Sequence, residues 1–394
     1  MKTFKNTDKA IKRLLLAKKR NEKIGIWGDY DPDGIPGAFI VYQALLKASY
    51  NSKNLTVVLP DQKKYGRSFH PFYLNFLKRK GVSLVIGIDF GGGSDFNSIK
   101  IAKEKGFDII ILDHHPPGPK KLPAILINPN QKGDSYPFKN WSGGGVAYKF
   151  FEFFYKTIGL NPKILEELLD AFAISMVADG IKEDGVNAGY LTRGINLINK
   201  KARLGIKMLL KVSQTKKVSK KIMLWGEDID YVLRASIYGN NRRNNLFQLL
   251  LSEDCKKTFL IAKDVKKRLK DFKKAVSKII FQGIEKHKKE KNLKALVMIT
   301  NTKTSRALGM AAHKLVETLN VPVFLLKRKG KYYNGSARGG DNNSNPFNVL
   351  AGLNFSSKLL INFGGHKGAS GFQIKKENIQ KFEAAVKNYF SIYH

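Results

Sequence analysis

Ile110-Ile111-Leu112-Asp113-His114-His115-Pro116-Pro117-Gly118 is the run that sets the fold class of this chain. An Ile-rich apolar stretch reads as a buried parallel strand, and Pro and Gly break it just after an acid and two imidazoles. Two other apolar runs end the same way. Lys23-Ile24-Gly25-Ile26-Trp27-Gly28 leads into Asp29-Tyr30-Asp31-Pro32-Asp33-Gly34, and Leu84-Val85-Ile86-Gly87-Ile88 leads into Asp89-Phe90-Gly91. In an open α/β sheet, ligands bind at the carboxyl ends of strands. Neighbouring parallel strands would therefore gather these acids, and so many carboxylates in one place need cations.

Working outward, residues 38–48 read as an apolar helix, 55–60 as a strand, 97–105 as a helix and 124–127 as a strand ending in Asn128-Pro129-Asn130. This β-α-β-α rhythm predicts a doubly wound, mostly parallel sheet. Before it, Asp8 precedes Ile11, Leu14 and Leu15 at helical spacing, which predicts a capped helix. Alternation by two across an extended 29–33 segment would put Asp29, Asp31 and Asp33 on one side. A calcium loop is excluded there: counted from Asp29, the twelfth position is Ile40, where an EF-hand needs Glu.

Trp141-Ser142-Gly143-Gly144-Gly145 opens an apolar helix. Its glycines either present N–H groups to a phosphate or permit a close helix contact, and both readings stand open. The helix at 165–177 ends in Ala178-Asp179-Gly180, a further acid with apolar flanks. From residue 191 the composition turns basic. Residues 199–221 carry no acid, and 256–291 form a long basic helix with Leu269, Phe272, Val276, Ile279 and Ile280 in one stripe. Its charged face is either solvated or a track for phosphates. A new α/β segment starts near 294 and carries two glycine-dense turns, Gly335-Ser336-Ala337-Arg338-Gly339-Gly340 and Phe363-Gly364-Gly365-His366-Lys367-Gly368-Ala369-Ser370-Gly371-Phe372, suited to an anion. The expected division is 1–190, a sheet domain; 191–293, a helical continuation with the basic connector; and 294–394, a smaller α/β domain.

The 394 residues carry 70 Lys+Arg against 32 Asp+Glu, a net charge of +38. Such a surplus points to a polyanionic partner, nucleic acid ahead of membrane, although a lysine-rich proteome contributes to it. Cys255 is the single cysteine, so no disulfide forms within the chain and no Cys-based zinc site exists. No apolar run approaches the roughly 20 residues of a membrane span, and the N-terminus is too poor in apolar residues for a signal peptide. The expected location is the cytoplasm.

The order Asp-Tyr-Asp-x-Asp-Gly, strand-Asp, Asp-His-His, Val-Ala-Asp, Gly-Ser-Ala-Arg and Gly-Gly-His-x-x-Ala-x-Gly-Phe resembles the DHH phosphoesterase superfamily. Within it, the chain is most similar to RecJ single-stranded-DNA exonucleases, over about residues 20–390. The resemblance implies a DHH domain with two divalent ions, Mn2+ or Mg2+, and a DHHA1 domain that holds substrate. Carried over residue by residue, Asp31, Asp33, Asp89, His114 and Asp179 become metal ligands. His115 ligates or contacts the scissile phosphate, and Asp29 and Asp113 are ligands or hold the imidazoles. Ser336, Arg338, Gly364, Gly365 and His366 would grip the nucleic-acid backbone, and Arg242, in a loosely matching stretch, a phosphate. Pro32 and Phe90 depart from the family's usual small residue and Cys or Asn. With the chain ending at His394, no oligonucleotide-binding-fold domain is expected. The implied activity is 5′-to-3′ hydrolysis of single-stranded DNA, favoured over RNA, in repair or recombination, by a monomer with replication or repair proteins as further partners. One alternative is a short-oligonucleotide or cyclic-dinucleotide phosphodiesterase, but Trp27 fills the place where such relatives have a motif His. Another is a non-catalytic replication scaffold, yet scaffold relatives lose metal ligands that are all present here.

Overall fold

A computed structural model describes residues 2–61, 65–66, 68–91, 95–219, 245–290, 293–302, 306–340 and 347–393. The chain divides into two compact units, residues 1–266 and 267–394.

In the first unit, five apolar runs form strands β1 (Lys23–Gly28), β2 (Leu55–Val58), β3 (Val82–Ile88), β4 (Asp108–Leu112) and β5 (Ile125–Ile127). All pair in parallel in the order β2-β1-β3-β4-β5. Alternate residues of each strand feed opposite faces. Trp27, Val85, Ile109 and Ile111 join a core with Phe69, Leu74, Leu77, Ile99 and Ala102, contributed by α3 (Pro71–Arg79), α4 (Phe96–Glu104) and the loops before them. On the other side Ile26, Ile86, Ile88, Ile110 and Leu112 are fully buried beneath α2 (Gly34–Lys47) and α5 (Gly143–Thr157). Each such side chain contributes roughly 1.5–3 kcal/mol by leaving water, which is why these runs carry no polar face. The sheet is thus doubly wound. Its chain reverses direction of growth between β1 and β3, the switch point at which this strand order opens a crevice.

The N-terminal helix α1 (Thr7–Lys19) has Asn6, in the left-handed region at φ 67°, at its N-cap, with Asp8 inside the first turn rather than capping. Beyond α6 (Leu169–Ala178), the unit continues as helices α7 (Gly185–Lys201), α8 (Leu204–Ser213) and α9 (Asn245–Leu251), and then α10 (Cys255–Lys289), which runs on into the second unit. Leu269, Phe272, Val276 and Ile279 are buried along α10, while Lys267, Lys270, Lys274 and Lys278 lie exposed on its other side. Cys255 is exposed. Among the described residues, no helix is long and apolar enough to cross a membrane.

The second unit holds a mixed five-stranded sheet, order β6-β7-β8-β10-β9: β6 (Leu296–Thr300), β7 (Val323–Lys329), β8 (Tyr332–Arg338), β9 (Leu360–Gly365) and β10 (Ala369–Lys375). Helices α11 (Arg306–Leu319), α12 (Val349–Phe355) and α13 (Ile379–Tyr393) complete it. The two glycine-dense segments, expected as turns, are mostly strands. Gly335 faces the Phe372 ring across the β8–β10 pair, and a Cβ there would collide with the ring. The aromatic ring fills the room that glycine leaves, so the segment stays extended.

Candidate metal centre

The acids arrive at one edge because the strands that carry them are neighbours. Asp29, Asp89 and Asp113 are the first residues past β1, β3 and β4, and each is anchored by its amide to the next strand. Asp29 N–H donates to Ile88 O (3.1 Å), Asp89 N–H to Leu112 O (2.9 Å) and Asp113 N–H to Ile127 O (3.1 Å). All three side chains are buried. The expected one-sided alternation of Asp29, Asp31 and Asp33 does not occur, because the segment turns. Asp31 Oδ1 accepts the N–H groups of Asp33 (3.1 Å) and Gly34 (3.0 Å), which starts α2 and swings Asp33 away from its two companions.

Three donor groups result, each with ligand atoms within 4.8 Å of one another: Asp29-Asp31-Asp89, Asp89-Asp113-His114-His115 and Asp33-His114-Asp179. Asp89 belongs to two of them and His114 to two, so the groups form one connected set. His114 Nε2 lies 3.3 Å from Asp89 Oδ1, 3.4 Å from Asp179 Oδ2 and 3.7 Å from Asp33 Oδ2. Asp179 caps α6 and remains partly exposed, at 32% of its side chain. His115 Nδ1 sits 2.8 Å from Asp113 Oδ1. The carboxylate fixes a proton on that nitrogen and leaves Nε2 as the basic one.

Burial and the surrounding charges of Asp33, Asp31, Asp29 and Asp179 push the Asp89 carboxyl well above the ordinary carboxylate range. Burial pushes His114 down, against the pull of the nearby acids. Burial raises Asp113, but the His115 hydrogen bond and the charges of both histidines outweigh it and hold this carboxyl below its ordinary value.

Asp89 Oδ1 and His114 Nε2 are buried with no hydrogen-bond partner among the described residues. Two orphaned acceptor-type atoms facing one another are costly unless a cation lies between them. Carboxylate oxygens with imidazole nitrogens suit hard or borderline divalent ions such as Mn2+ or Mg2+, so the residues fit such ions.

The glycine run at the start of α5 does not meet a phosphate. Gly143 and Gly144 donate their N–H groups to Asp33 Oδ2 (2.9 Å) and Oδ1 (3.0 Å). They also permit the close approach: a Cβ on Gly143 would lie 2.5 Å from Asp89 Cβ, and one on Gly144 would collide with Ser175 Oγ. Sequence reading missed Asn128 and Asn130 as well. Asn128 Nδ2 donates to His115 O (2.9 Å) and Asn130 Nδ2 to His114 O (2.6 Å), pinning the backbone of the Asp-His-His turn. The signal was present, since Asn128-Pro129-Asn130 ends β5 just as the acids end their strands.

In the second unit Ser336, Gly371 and Gly364 pair in one row across β8, β10 and β9, and Arg338 pairs with Ala369 on the same face. Arg338 Nη1 donates to Ser336 Oγ (3.1 Å) and Ala337 O (2.8 Å). Gly365 ends β9 at φ 138°, and His366 is exposed in the β9–β10 turn, its N–H on Ala369 O (2.8 Å). Arg242 lies outside the described residues.

Comparison with known proteins agrees with this arrangement. Residues 23–176 match the DHH family, N-terminal domain, and residues 292–391 match the DHHA1 domain. The single-stranded-DNA-specific exonuclease RecJ of Bacillus subtilis is 30% identical over 390 residues, covering 95% of this chain and 46% of the relative. The chain thus spans about half the length of that relative. RecJ of Thermus thermophilus, solved in complex with Mn2+, superposes with a TM-score of 0.82 at 21% identity, covering 99% of this chain and 55% of the other. An exonuclease RecJ bound to manganese gives 0.77 at 21% identity, covering 98% and 95%. Two matched domains in the same order, the first carrying a strand-end cluster of acids and histidines, make this chain a RecJ-like member of the DHH superfamily.

Proposed function

We propose that the chain is a divalent-metal-dependent exonuclease that hydrolyses phosphodiester bonds of single-stranded DNA, from the 5′ end, acting in the cytoplasm in repair or recombination. The observation that carries the reading is the connected donor set, in which Asp89 and His114 are each shared between two groups. Shared ligands suit a pair of ions held side by side, and relatives of the same architecture carry the names and the manganese described above. The +38 charge supports a polyanionic substrate.

Asp29, Asp31, Asp33, Asp89, His114 and Asp179 would hold two Mn2+ or Mg2+ ions. When bound, such a pair polarises the phosphate and offsets charge on an in-line transition state. The chain's own residues do the rest. His115, held through Nδ1 by Asp113, would donate from Nε2 to a phosphate oxygen once that nitrogen also carries a proton, and the asparagine pair holds the backbone of both histidines in place. In the second unit Ser336, Arg338, Gly364, Gly365 and His366 would hold the strand's backbone, with Arg242 as a further phosphate contact. Trp27, where a phosphodiesterase of the short-oligonucleotide class has His, lies fully buried among Phe69, Tyr73 and Phe90 and offers no ligand.

The test is to incubate the protein with Mn2+ and single strands of DNA and RNA labelled at either end. Nucleotides released from the 5′ end of DNA are expected, with Asp33→Ala and His114→Ala inactive but folded by circular dichroism. Turnover that survives in either variant, or hydrolysis confined to oligonucleotides of a few residues, overturns the reading.

A further inference from the structure

Asp33 is held from behind by a buried chain of hydroxyls. Its Oδ1 accepts the Gly144 N–H at 3.0 Å and the hydroxyl of Ser175, from α6. Its Oδ2 accepts one N–H, from Gly143 at 2.9 Å. Behind Ser175 lies Ser142, the N-cap of α5, with the two Oγ atoms 2.5 Å apart. Ser142 Oγ in turn accepts the Gly145 N–H at 3.1 Å. Both serines are fully buried.

The proton positions follow from counting. A hydroxyl has a single proton to donate. Ser175 commits its proton to Asp33 Oδ1, which can only accept while ionised. The proton between the two serines therefore belongs to Ser142, whose own lone pair is engaged by Gly145. The order Gly145 N–H to Ser142 to Ser175 to Asp33 Oδ1 runs one way and fixes the rotation of the carboxylate. Oδ1 is committed to two donors. Oδ2 keeps a lone pair, and it is the oxygen that lies toward His114 Nε2, at 3.7 Å, in the group shared with Asp179.

We propose that Ser142 and Ser175 are positioning residues that make Asp33 offer only Oδ2 to a cation, and so set the affinity of the Asp33-His114-Asp179 group separately from that of Asp29-Asp31-Asp89. The inference rests on the two-ion reading above. Residues that orient ligands from behind typically change metal affinity 10–100-fold when removed. Freed of its hydroxyl, Asp33 would turn and divide its charge between two oxygens, while the Asp29-Asp31-Asp89 group, of which Asp33 is no member, would be unaffected.

Direct Mn2+ binding tests this, read from the electron paramagnetic resonance of the free ion with chelator-stripped full-length protein. The wild type is expected to show two binding classes. Ser175→Ala should weaken one of them about 10–100-fold and leave the other within about twofold. Ser142→Ala, which unhooks the same chain one link back, should weaken that same class by less. Asp31→Asn serves as the counterpart and should weaken the class that survives in Ser175→Ala. Thermal unfolding of each metal-free variant checks that it is folded. Two unchanged classes in Ser175→Ala overturn the proposal, and so does an equal loss from both, which would mark general loosening. A wild type without two classes overturns the two-ion reading instead, and that result appears before any substitution is made.

Discussion

Replacing Asp89 by Asn should stabilise the metal-free protein while abolishing its metal response. Asp89 sits at φ 65°, a left-handed conformation that Asn tolerates and most residues do not, so the backbone has no reason to move. Its ligand oxygen lies within 4.8 Å of those of Asp29 and Asp31. At an effective dielectric of about 20, each such pair of charges repels by about 3.5 kcal/mol or more. Burial first and the neighbouring acids second raise the titration of this carboxyl, so it gives up its proton less readily than an ordinary carboxylate and does not bear this repulsion in full. Protonation limits the cost at pH 7 to about 1.36 kcal/mol per pH unit above the ordinary value near 3.9, or about 4 kcal/mol. The folded state thus holds a proton that the unfolded chain has released, so wild-type stability falls as pH rises from about 4 toward the folded value. The amide variant escapes that loss. A gain of about 1–3 kcal/mol is expected near pH 7, several degrees in Tm for a unit of this size, shrinking toward zero near pH 4. Thermal unfolding of chelator-stripped protein at both pH values measures it. Adding Mn2+ should reverse the order, since the wild type gains about 4.1 kcal/mol at about a thousand times Kd and the variant little. A metal-free Asp89→Asn protein that is less stable than wild type, or a gain independent of pH, would refute the argument that carboxylate crowding dominates this edge.

Three other outcomes are expected. Gly143→Ala puts a methyl 2.5 Å from Asp89 Cβ and should cost about 100-fold or more in strand hydrolysis without removing any ligand, as a displacement of about 1 Å does; near-normal turnover would show that the cluster is tolerant of such shifts. Arg338→Ala and His366→Ala should each weaken binding of long single strands by roughly 1.5–3 kcal/mol with Mn2+ content unchanged, measured by titration and metal analysis. Loss of metal from either would contradict a purely substrate-holding role. Reversing Lys267, Lys270, Lys274 and Lys278, exposed on α10, should flatten the salt dependence of DNA binding, whose slope is about −0.7 per neutralised phosphate for single strands; an unchanged slope would mark that face as merely solvated.

Much of the first unit was legible because its strands are short, wholly apolar runs that stop at an acid. The run 23–28 is β1 residue for residue, and 84–88 falls inside β3. What stayed hidden depended on contacts distant in the chain. The Gly143-Gly144 pair reads equally as a phosphate cradle or as tight packing until Asp33, 110 residues away, is seen to take the Gly143 N–H. The segment 29–33 has the alternation of an extended chain, but the Asp31 side chain bonds the backbone ahead of it and folds it into a turn. Asp side chains that bond nearby backbone compete with strand geometry in this way. In the second unit, glycine density read as turn because a strand interior rarely gains from glycine. Phe372, on the neighbouring strand, supplies what Gly335 lacks, and no local pattern announces that pairing.

The amide anchors of Asp29, Asp89 and Asp113 carry a consequence for how the centre breathes. Reactive sites are commonly borne on segments that open easily, with amides that trade hydrogen for deuterium long before the core does. Here Asp29, Asp89 and Asp113, three residues of the cluster, are themselves rungs of the sheet. Their N–H groups can meet solvent only when neighbouring strands part, so their exchange should be among the slowest in the first unit and should track its global unfolding. At Asp29 and Asp89 a bound ion would then meet a rigid edge rather than a loop that swings aside, so any opening that releases it would have to come from the turn over residues 31–33 or the helix end at Asp179.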